Sequence, residues 1–216
     1  MNSQHKLCGV ILAAGRSSRM GRDKALLPWP PGTQGDGAAP AQTLLSTAIA
    51  ALKTQTDNAI VVAGRNAAAL APVVAACGAS MVVNPDPDRG QFSSLQTGLR
   101  EVVTRSYDAA MITPVDCPPP AASTLEHLRA AFERAMAAGK WAVAPEKNGR
   151  HGHPLLAGRE LIDAFLGAPV SSNARDVKHA HAERIEYVPI ADSLIGVDLN
   201  TPEEYASLSG DREAGS

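Results

Sequence analysis

Short apolar runs alternate with helix-like segments along this 216-residue chain. The first run, residues 7–14, reads Leu-Cys-Gly-Val-Ile-Leu-Ala-Ala and has the continuous apolar character of a strand that is buried on both faces. Further strand-like runs lie at 59–63, 80–83 and 109–115, and helix-like segments lie at 66–76 and 93–105. Because strands that alternate with helices are typical of βαβ units, the sequence predicts an α/β fold with a mostly parallel central sheet.

The second half of the chain has a looser pattern. A strand-like run and two helices are predicted at 141–145, 158–167 and 173–182. The alternating segment 184–190 is predicted as an antiparallel or edge strand. Capping-box spacing predicts that one helix begins at Ser123 and that the last helix begins at Thr201.

The length of the chain is that of one domain, since a protein of this size buries roughly 70% of its unfolded surface. We expect a single domain over residues 1–208. Residues 28–41 are rich in proline and glycine, which predicts a flexible surface insertion. The polar residues 209–216 are expected to fray.

The composition argues against several classes of partner. Twenty Lys and Arg residues against 22 Asp and Glu residues give a net charge of −2, which disfavours nucleic-acid binding. No apolar stretch reaches the roughly 20 residues that span a bilayer, so no membrane association is expected. The three cysteines have no paired spacing and are interpreted as free thiols, which predicts a cytoplasmic protein.

A basic loop with two glycines and two serines follows the first predicted strand, at residues 15–24. Glycines allow backbone N–H groups to approach phosphate oxygens, and cations offset the charge of a polyphosphate. The loop has neither the Gly-Lys-Ser/Thr sequence of a Walker loop nor the Gly-x-Gly-x-x-Gly of a dinucleotide-binding turn. On its residues alone, the loop is equally compatible with an ordinary basic surface turn.

A longer match decides between these interpretations. Residues 10–28 read V-I-L-A-A-G-R-S-S-R-M-G-R-D-K-A-L-L-P, which resembles the N-terminal signature of nucleotidyltransferases of the molybdenum-cofactor type. Other segments resemble the same family in the same order: Asn84-Pro85-Asp86 with Gly90 and Ser93-Ser94, Pro114–Pro118, Gly152–Leu156, Asn173–Val177 and Asp198–Glu204. The resemblance therefore covers most of the chain.

The resemblance implies a Rossmann-like three-layer sandwich of the nucleotide-diphospho-sugar transferase type. It also implies an enzyme that uses Mg²⁺ to transfer a nucleoside monophosphate from an NTP to a pterin phosphate, with release of pyrophosphate. The expected substrates are CTP or GTP and a molybdopterin-type phosphate. A molybdoenzyme or its maturation chaperone is a further expected partner.

Two carboxylates and two cations are predicted to carry the chemistry. Asp116 follows a predicted strand, where an aspartate by position alone is more often a turn or helix cap. With the family match, Asp116 is interpreted as a hard oxygen ligand of magnesium, and Asp198 as a second ligand or an organiser of the metal site. Lys24 and Arg19 are expected to offset the charge of the triphosphate and of the departing pyrophosphate.

The remaining predicted site residues would contact the two substrates. His153 is expected to position the pterin phosphate, with a structural loop histidine as the alternative. No strong general base is required, because the acceptor phosphate is already ionised near neutral pH. The nucleotide is expected to contact Leu12, Ala13, Ala14, Gly15, Ser17, Arg19, Met20, Gly21, Lys24, Gly64, Asn84, Ser93 and Ser94.

Ala14 carries the prediction of which nucleotide is used. Guanylyl-transferring relatives tend to have L-A-G-G where this chain has Leu12-Ala13-Ala14-Gly15. The extra methyl narrows the space beside the base and favours the pyrimidine of CTP, with a discrimination of about 1–3 kcal/mol. The alternatives are guanylyl transfer from GTP, a sugar-1-phosphate nucleotidyltransferase, and a non-enzymatic nucleotide-binding or cofactor-binding maturation factor.

Two other patterns are given structural interpretations. The His151/His153 and His179/His181 pairs have a spacing that points the two rings away from each other in a strand or a helix, which disfavours a zinc site. Cys117 has no recognisable base nearby and is expected to be inert packing.

Overall fold

The computed structural model describes residues 5–15, 21–32 and 42–208. The strands in this part of the chain are β1 (Leu7–Leu12), β2 (Asn58–Ala63), β3 (Ser80–Val83), β4 (Ala109–Pro114), β5 (Ala142–Lys147), β6 (Arg150–His151), β7 (Leu155–Ala157) and β8 (Ile185–Pro189). The helices are α1 (Leu44–Lys53), α2 (Ala67–Ala76), α3 (Gln91–Thr104), α4 (Ala122–Ala137), α5 (Arg159–Gly167), α6 (Ala174–Ala180) and α7 (Pro202–Ser207). None of these helices combines the length and the apolar character that crossing a membrane requires.

The strands form one mixed sheet in the order β3-β2-β1-β4-β7-β5, and both β6 and β8 pair with β5. β1, β2, β3 and β4 pair in parallel, whereas β7 is antiparallel to β4 and β5. The segment predicted as an antiparallel or edge strand forms β8, which pairs with β5 in parallel. The structure confirms the predicted α/β fold, and the loops that follow β1 to β4 converge at one edge of the sheet.

Helices cover both faces of the sheet. Side chains alternate along β1, so Leu7 and Ile11 pack in one apolar cluster with α1, α2 and α4, whereas Val10 packs in a second cluster with α3 and α5. The helix α3 lies very close to the sheet at Gly98, where an added Cβ would lie 2.8 Å from Val10 Cγ1 and 2.8 Å from Val62 Cγ2. These three layers are those that the family resemblance implied.

The segment predicted as a surface insertion at 28–41 has a buried beginning. Trp29 is only 5% exposed, and its N–H donates to the carbonyl of Gln42 at 2.8 Å. Pro28 pairs with Thr43 in an isolated antiparallel bridge. Residues 28–31 are therefore buried or partly buried, whereas Gly32 is exposed, and the flexible insertion stays a prediction. Residues 33–41, like the tail at 209–216, lie outside the described residues.

One of the two predicted helix starts is confirmed. Thr201 caps α7 through a reciprocal capping box, as its sequence pattern indicates. The capping box predicted at Ser123 was wrong, because α4 begins one residue earlier and has no capping side chain of its own. The carboxylate of Asp192 replaces it, since Asp192 Oδ2 accepts from the Ala121 N–H at 2.8 Å and from Thr124 Oγ1 at 3.1 Å.

Candidate active site

Lys24 and Asp116, both predicted as catalytic residues, are in contact at the carboxyl edge of the sheet. Lys24 Nζ donates to Asp116 Oδ2 at 3.1 Å and to Asn200 Oδ1 at 3.2 Å. The Leu199 N–H donates to the carbonyl of Asp116 at 2.9 Å and so joins the segment before α7 to the end of β4. The lysine side chain is 12% exposed and the carboxylate 27%, so the pair is shielded while the carboxylate keeps access to solvent.

Cys117 connects the two carboxylates that were predicted as metal ligands. It directly follows Asp116, and its Sγ donates to Asp198 Oδ1 at 2.9 Å. Burial, followed by the hydrogen bond to Asp198, raises the pKa of the thiol far above its usual range. Cys117 is therefore a neutral hydrogen-bond donor, and it holds Asp198 in place as well as packing in the core.

The ends of β1 and β2 meet closely at Ala14 and Gly64. A Cβ added to Gly64 would lie 2.9 Å from the Ala14 carbonyl oxygen, 3.1 Å from Ala14 Cβ and 3.2 Å from Pro87 Cβ. The Ala13 N–H donates to the carbonyl of Val62 at 2.9 Å and continues the sheet pairing beyond β1. Glycine is thus required at position 64, and the methyl of Ala14 occupies the gap between the two strand ends.

Asn84, Ser93 and Ser94, which were predicted to contact the nucleotide, are buried and bonded to each other. Asn84 Nδ2 donates to Ser93 Oγ at 2.9 Å and to Ser94 Oγ at 3.0 Å. Asn84 Oδ1 accepts from the Asp86 N–H at 3.0 Å, and the side chains of the three predicted residues are 3–6% exposed. Their contacts in this structure hold the loop between β3 and α3, and a direct contact with a base stays a prediction.

Some of the remaining residues predicted to contact the nucleotide are described in the structure and others are not. Leu12 is 8% exposed at the end of β1, and Gly15 and Gly21, two glycines of the basic loop, are exposed. Gly21 has a φ of 66°, a conformation that glycine adopts without strain. Ser17, Arg19 and Met20 lie outside the described residues.

A cavity of about 380 Å³ opens between the ends of β1, β4 and β7 and the helices α3, α5 and α6. Its wall is largely apolar, with contributions from Leu12, Phe92, Leu95, Ile112, Pro114, Leu155 and Phe165. Polar groups reach it from Arg89, Asn173, His153 and Lys178. An apolar pocket with a few polar groups is typical of a small-molecule site.

His153 and Lys178 are partly buried titratable residues that line this cavity. Burial, followed by the charge of Lys178, lowers the pKa of His153, so the ring is neutral near pH 7. The ring Nδ1 of His153 is buried and has no hydrogen-bond partner in the described part of the protein. Burial, followed by the charge of Arg175, lowers the pKa of Lys178. The cavity therefore disfavours uncompensated positive charge and favours an anionic ligand beside Lys178.

Residues 9–185 match the family described as MobA-like NTP transferase domain. The chain belongs to this family. The molybdenum cofactor guanylyltransferase of Xanthomonas euvesicatoria pv. vesicatoria (strain 85-10) is 29% identical over 211 residues, which cover 96% of this chain and 97% of that protein. The molybdenum cofactor cytidylyltransferase of Escherichia coli (strain K12) is 27% identical over 198 residues, which cover 91% of this chain and 92% of that protein.

Solved structures with low sequence identity share the fold of this chain. The crystal structure of Rv0371c from Mycobacterium tuberculosis H37Rv superposes with a TM-score of 0.75 at 22% identity, over 94% of this chain and 97% of that one. The manganese complex of the same protein has a TM-score of 0.65 at 21% identity over the same shares. The family confirms the enzyme class expected from the sequence, and this MobA-like chain is a nucleotidyltransferase.

The donor set of the MobA-like site fits a hard divalent cation. Asp116 and Asp198 carry carboxylates on segments joined through Cys117, and Asn200 carries an amide oxygen that contacts Lys24; metal binding by the two carboxylates stays a prediction. Within residues 5–15, 21–32 and 42–208, no three His, Cys, Asp or Glu side chains are grouped in a way that could hold a metal. Two carboxylates suit an ion such as Mg²⁺, which takes its other ligands from phosphate oxygens and water.

Three residues of the candidate site were not predicted from the sequence. Asn200 lies within a segment that carries the family resemblance, but its bond to Lys24 could be seen only in the fold. Lys178 lies one residue beyond another such segment, and no periodicity indicates that it faces a cavity. Asn66 occupies a helix-start position, which gave no indication that its side chain bonds to the basic loop.

Proposed function

We propose that this MobA-like enzyme transfers CMP from CTP to the phosphate of molybdopterin, or of its molybdenum-loaded form, and releases pyrophosphate with Mg²⁺. The observation that carries the choice of CTP is the close approach of Ala14 to Gly64. The Ala14 methyl leaves less room beside the ends of β1 and β2, which favours a pyrimidine over a purine. The named relatives include both a guanylyltransferase and a cytidylyltransferase.

The cavity beside β4 and β7 is the proposed site of the acceptor. Its apolar wall suits a flat heteroaromatic ring, and Lys178 and Arg89 offer positive charge to a phosphate. His153 is neutral near pH 7 and so brings no positive charge, and its Nδ1, which has no hydrogen-bond partner in the described part of the protein, is the ring atom left to bond an acceptor. Leu12 and Pro114 line the cavity, so an acceptor bound there would lie near the Asp116 segment.

The reaction joins an oxygen of the acceptor phosphate to the α-phosphorus of CTP. The bond between the α-phosphorus and the bridging oxygen breaks, and pyrophosphate leaves with the electron pair. Mg²⁺ held by Asp116 and Asp198 would supply positive charge to the triphosphate oxygens. Lys24 offsets the charge that develops on the leaving group, and the two substrate sites align the reacting groups.

The deciding experiment compares CTP, GTP, ATP and UTP side by side, with molybdopterin as acceptor and saturating Mg²⁺. The dinucleotide product is identified by mass spectrometry and pyrophosphate release is measured. We expect kcat/KM for CTP to exceed that for GTP by about tenfold or more. A preference for GTP would reject the cytidylyl assignment in favour of guanylyl transfer. Binding of CTP without product from any acceptor would instead support a nucleotide-binding maturation factor.

Ala14→Gly is expected to shift the nucleotide preference towards GTP. Loss of the methyl that lies against Gly64 enlarges the space beside the base, and a single methyl is worth about 1–3 kcal/mol of discrimination. The ratio of kcat/KM for CTP to kcat/KM for GTP should fall about tenfold or more. Ala138→Gly removes an exposed methyl at the end of α4 and is the control that should leave this ratio unchanged.

Lys178→Met is expected to stabilise the fold while weakening use of the acceptor. Burial lowers the pKa of Lys178 because it disfavours the charged ammonium, so methionine removes an unfavourable burial. The free energy of unfolding should rise by about 0.5–2 kcal/mol, whereas KM for molybdopterin should rise about tenfold. Thermal unfolding and steady-state kinetics measure the two effects. The control is Lys140→Met, because Lys140 Nζ donates to the carbonyl of Glu183 on the exposed surface.

An unchanged KM for molybdopterin in the Lys178→Met variant would reject the acceptor assignment of the cavity. KM for CTP is the internal reference, because the proposed nucleotide site lies at the ends of β1 and β2. A parallel rise in both KM values would indicate a general disturbance of the site.

A further inference from the structure

Asn66 stands at the N-cap position of α2 but does not cap that helix. Asparagine is among the most favourable N-cap residues, yet its side chain makes no cap hydrogen bond here. Its amide bonds elsewhere: Nδ2 donates to the Ala13 carbonyl at 2.9 Å and to Asp23 Oδ2 at 2.6 Å, and Oδ1 accepts from the Gly64 N–H at 3.0 Å. The side chain therefore bonds to the loop after β1 instead of capping α2.

The chemistry of these contacts requires a carboxamide. The NH₂ group faces two acceptors and the carbonyl oxygen faces a donor, so both ends of the amide are used in one orientation. A carboxylate at position 66 would place negative charge against Asp23, and alanine would leave the carbonyl of Ala13 without this donor.

The two acceptors lie near opposite ends of the basic loop. Ala13 follows β1 and precedes the loop. Asp23 lies near the end of the loop, directly before the short turn Lys24–Leu26, and its Oδ1 accepts from the Ala25 N–H at 3.0 Å. Lys24, the first residue of that turn, extends to Asp116. Asn66 therefore connects the beginning of the loop, its end and the end of β2 through one side chain.

We propose that Asn66 is a positioning residue that holds the exit of β1 and the Lys24 turn in a fixed relation. Its effect on catalysis is exerted through Lys24 and rests on the nucleotidyl-transfer function proposed above. Alignment of reacting groups is sensitive to shifts of about 1 Å, which can lower a rate about 100-fold. No other side chain in the described part of the chain makes hydrogen bonds to both Ala13 and Asp23.

The test compares Asn66→Ala with Asn58→Ala. Asn58 is the first residue of β2, whereas Asn66 follows the other end of that strand. Asn58 Oδ1 accepts from the Ala59 N–H at 2.8 Å, so Asn58 is a matched asparagine that also bonds to backbone. We expect kcat to fall about 100-fold in Asn66→Ala, with KM for the nucleotide changed less than kcat. Asn58→Ala should retain kcat within about twofold. A kcat in Asn66→Ala within twofold of the unaltered enzyme would overturn the proposal.

Hydrogen exchange gives a readout that does not depend on which nucleotide the enzyme uses. In Asn66→Ala without substrates, a peptide that covers residues 22–27 should exchange faster than in Asn58→Ala. Faster exchange confined to residues 64–70 would mean that Asn66 only supports the start of α2, and would reject the link to the Lys24 turn. If hydrogen exchange gives the expected result but neither CTP nor GTP yields product, the proposed function fails and the link stands.

A reversal of the pair tests the bond between Asn66 and Asp23 directly. Asn66→Asp should be less active than Asn66→Ala, because two carboxylates then face each other at the position of the 2.6 Å bond. Adding Asp23→Asn restores an amide donor opposite a carboxylate and keeps an acceptor for the Ala25 N–H. We expect the double variant to recover kcat at least tenfold over Asn66→Asp but to stay below the unaltered enzyme, because a carboxylate at position 66 gives the Ala13 carbonyl no donor. A double variant no more active than the single one would contradict the proposal.

Discussion

Asp116→Asn is expected to lower the rate of pyrophosphate release about 1,000-fold, an effect of the size seen when a group that stabilises the transition state is removed. Asparagine keeps the shape of the side chain but loses the negative charge that a hard cation requires, and it weakens the contact with Lys24 Nζ at 3.1 Å. Its backbone carbonyl still accepts from the Leu199 N–H, so the fold of the site is retained. The measurement is steady-state pyrophosphate release across a Mg²⁺ titration.

Asp163→Asn is the matched control for Asp116→Asn. Asp163 pairs with Arg159 on the exposed face of α5, and both side chains are about half exposed. Its replacement should leave turnover and thermal stability nearly unchanged, because exposed ion pairs contribute about 0–1 kcal/mol. Near-normal turnover of Asp116→Asn at saturating Mg²⁺ would reject the metal assignment, and loss of thermal stability only in Asp116→Asn would indicate a structural role.

The regular part of the fold could be predicted because its strands are buried on both faces. All six residues of β1 and all six of β4 are buried, and each strand appears in the sequence as a continuous apolar run. β7 was missed because it is only three residues long and antiparallel, and its flanking loop gives no strand signal. Asp192 caps α4 from about 70 positions away in the chain, and a local capping pattern cannot show such a partner.

Lys24 and Asp116 were selected through the family resemblance of their segments, and their catalytic roles stay predictions. Lys24 and Asp116 stand in distinctive segments, and the structure brings them within 3.1 Å. Asn66 and Asn200 were not predicted as site residues. An asparagine can cap a helix, stabilise a turn or bond to a distant segment, and the choice depends on neighbours that are known only from the fold. The hydrogen bond from the Cys117 thiol to Asp198 was also not predictable, because the two residues are 81 positions apart in the chain.

Lys24→Met is the second change with a large expected effect. The ammonium lies between Asp116 and Asn200, and methionine keeps most of the apolar stem but removes the charge and its donors. We expect kcat to fall about 100- to 1,000-fold, because the lost group offsets charge that is greatest in the transition state. Lys24→Arg should recover little of this activity, since a planar fork does not reproduce the position of a compact ammonium that is only 12% exposed.

The control for Lys24→Met is Lys53→Met, which removes an ammonium that donates to the carbonyls of Cys77 and Gly78 on the exposed surface. That variant should retain kcat, because its lysine lies at the end of α1 away from the carboxyl edge of the sheet. A kcat for Lys24→Met equal to that of Lys53→Met would show that the contact with Asp116 is a structural ion pair and no more.

Combining Lys24→Met with Asp116→Asn tests whether the two residues act on the same charges. Groups that act as a unit show strongly non-additive effects, so the double variant should be about as slow as the slower single variant. The 3.1 Å contact makes this coupling physically direct, and the Leu199 N–H bond to Asp116 keeps the local backbone in place in every variant. A loss equal to the product of the two single losses would mean that Lys24 and Asp116 serve separate steps, and would break the proposed joint action on the triphosphate.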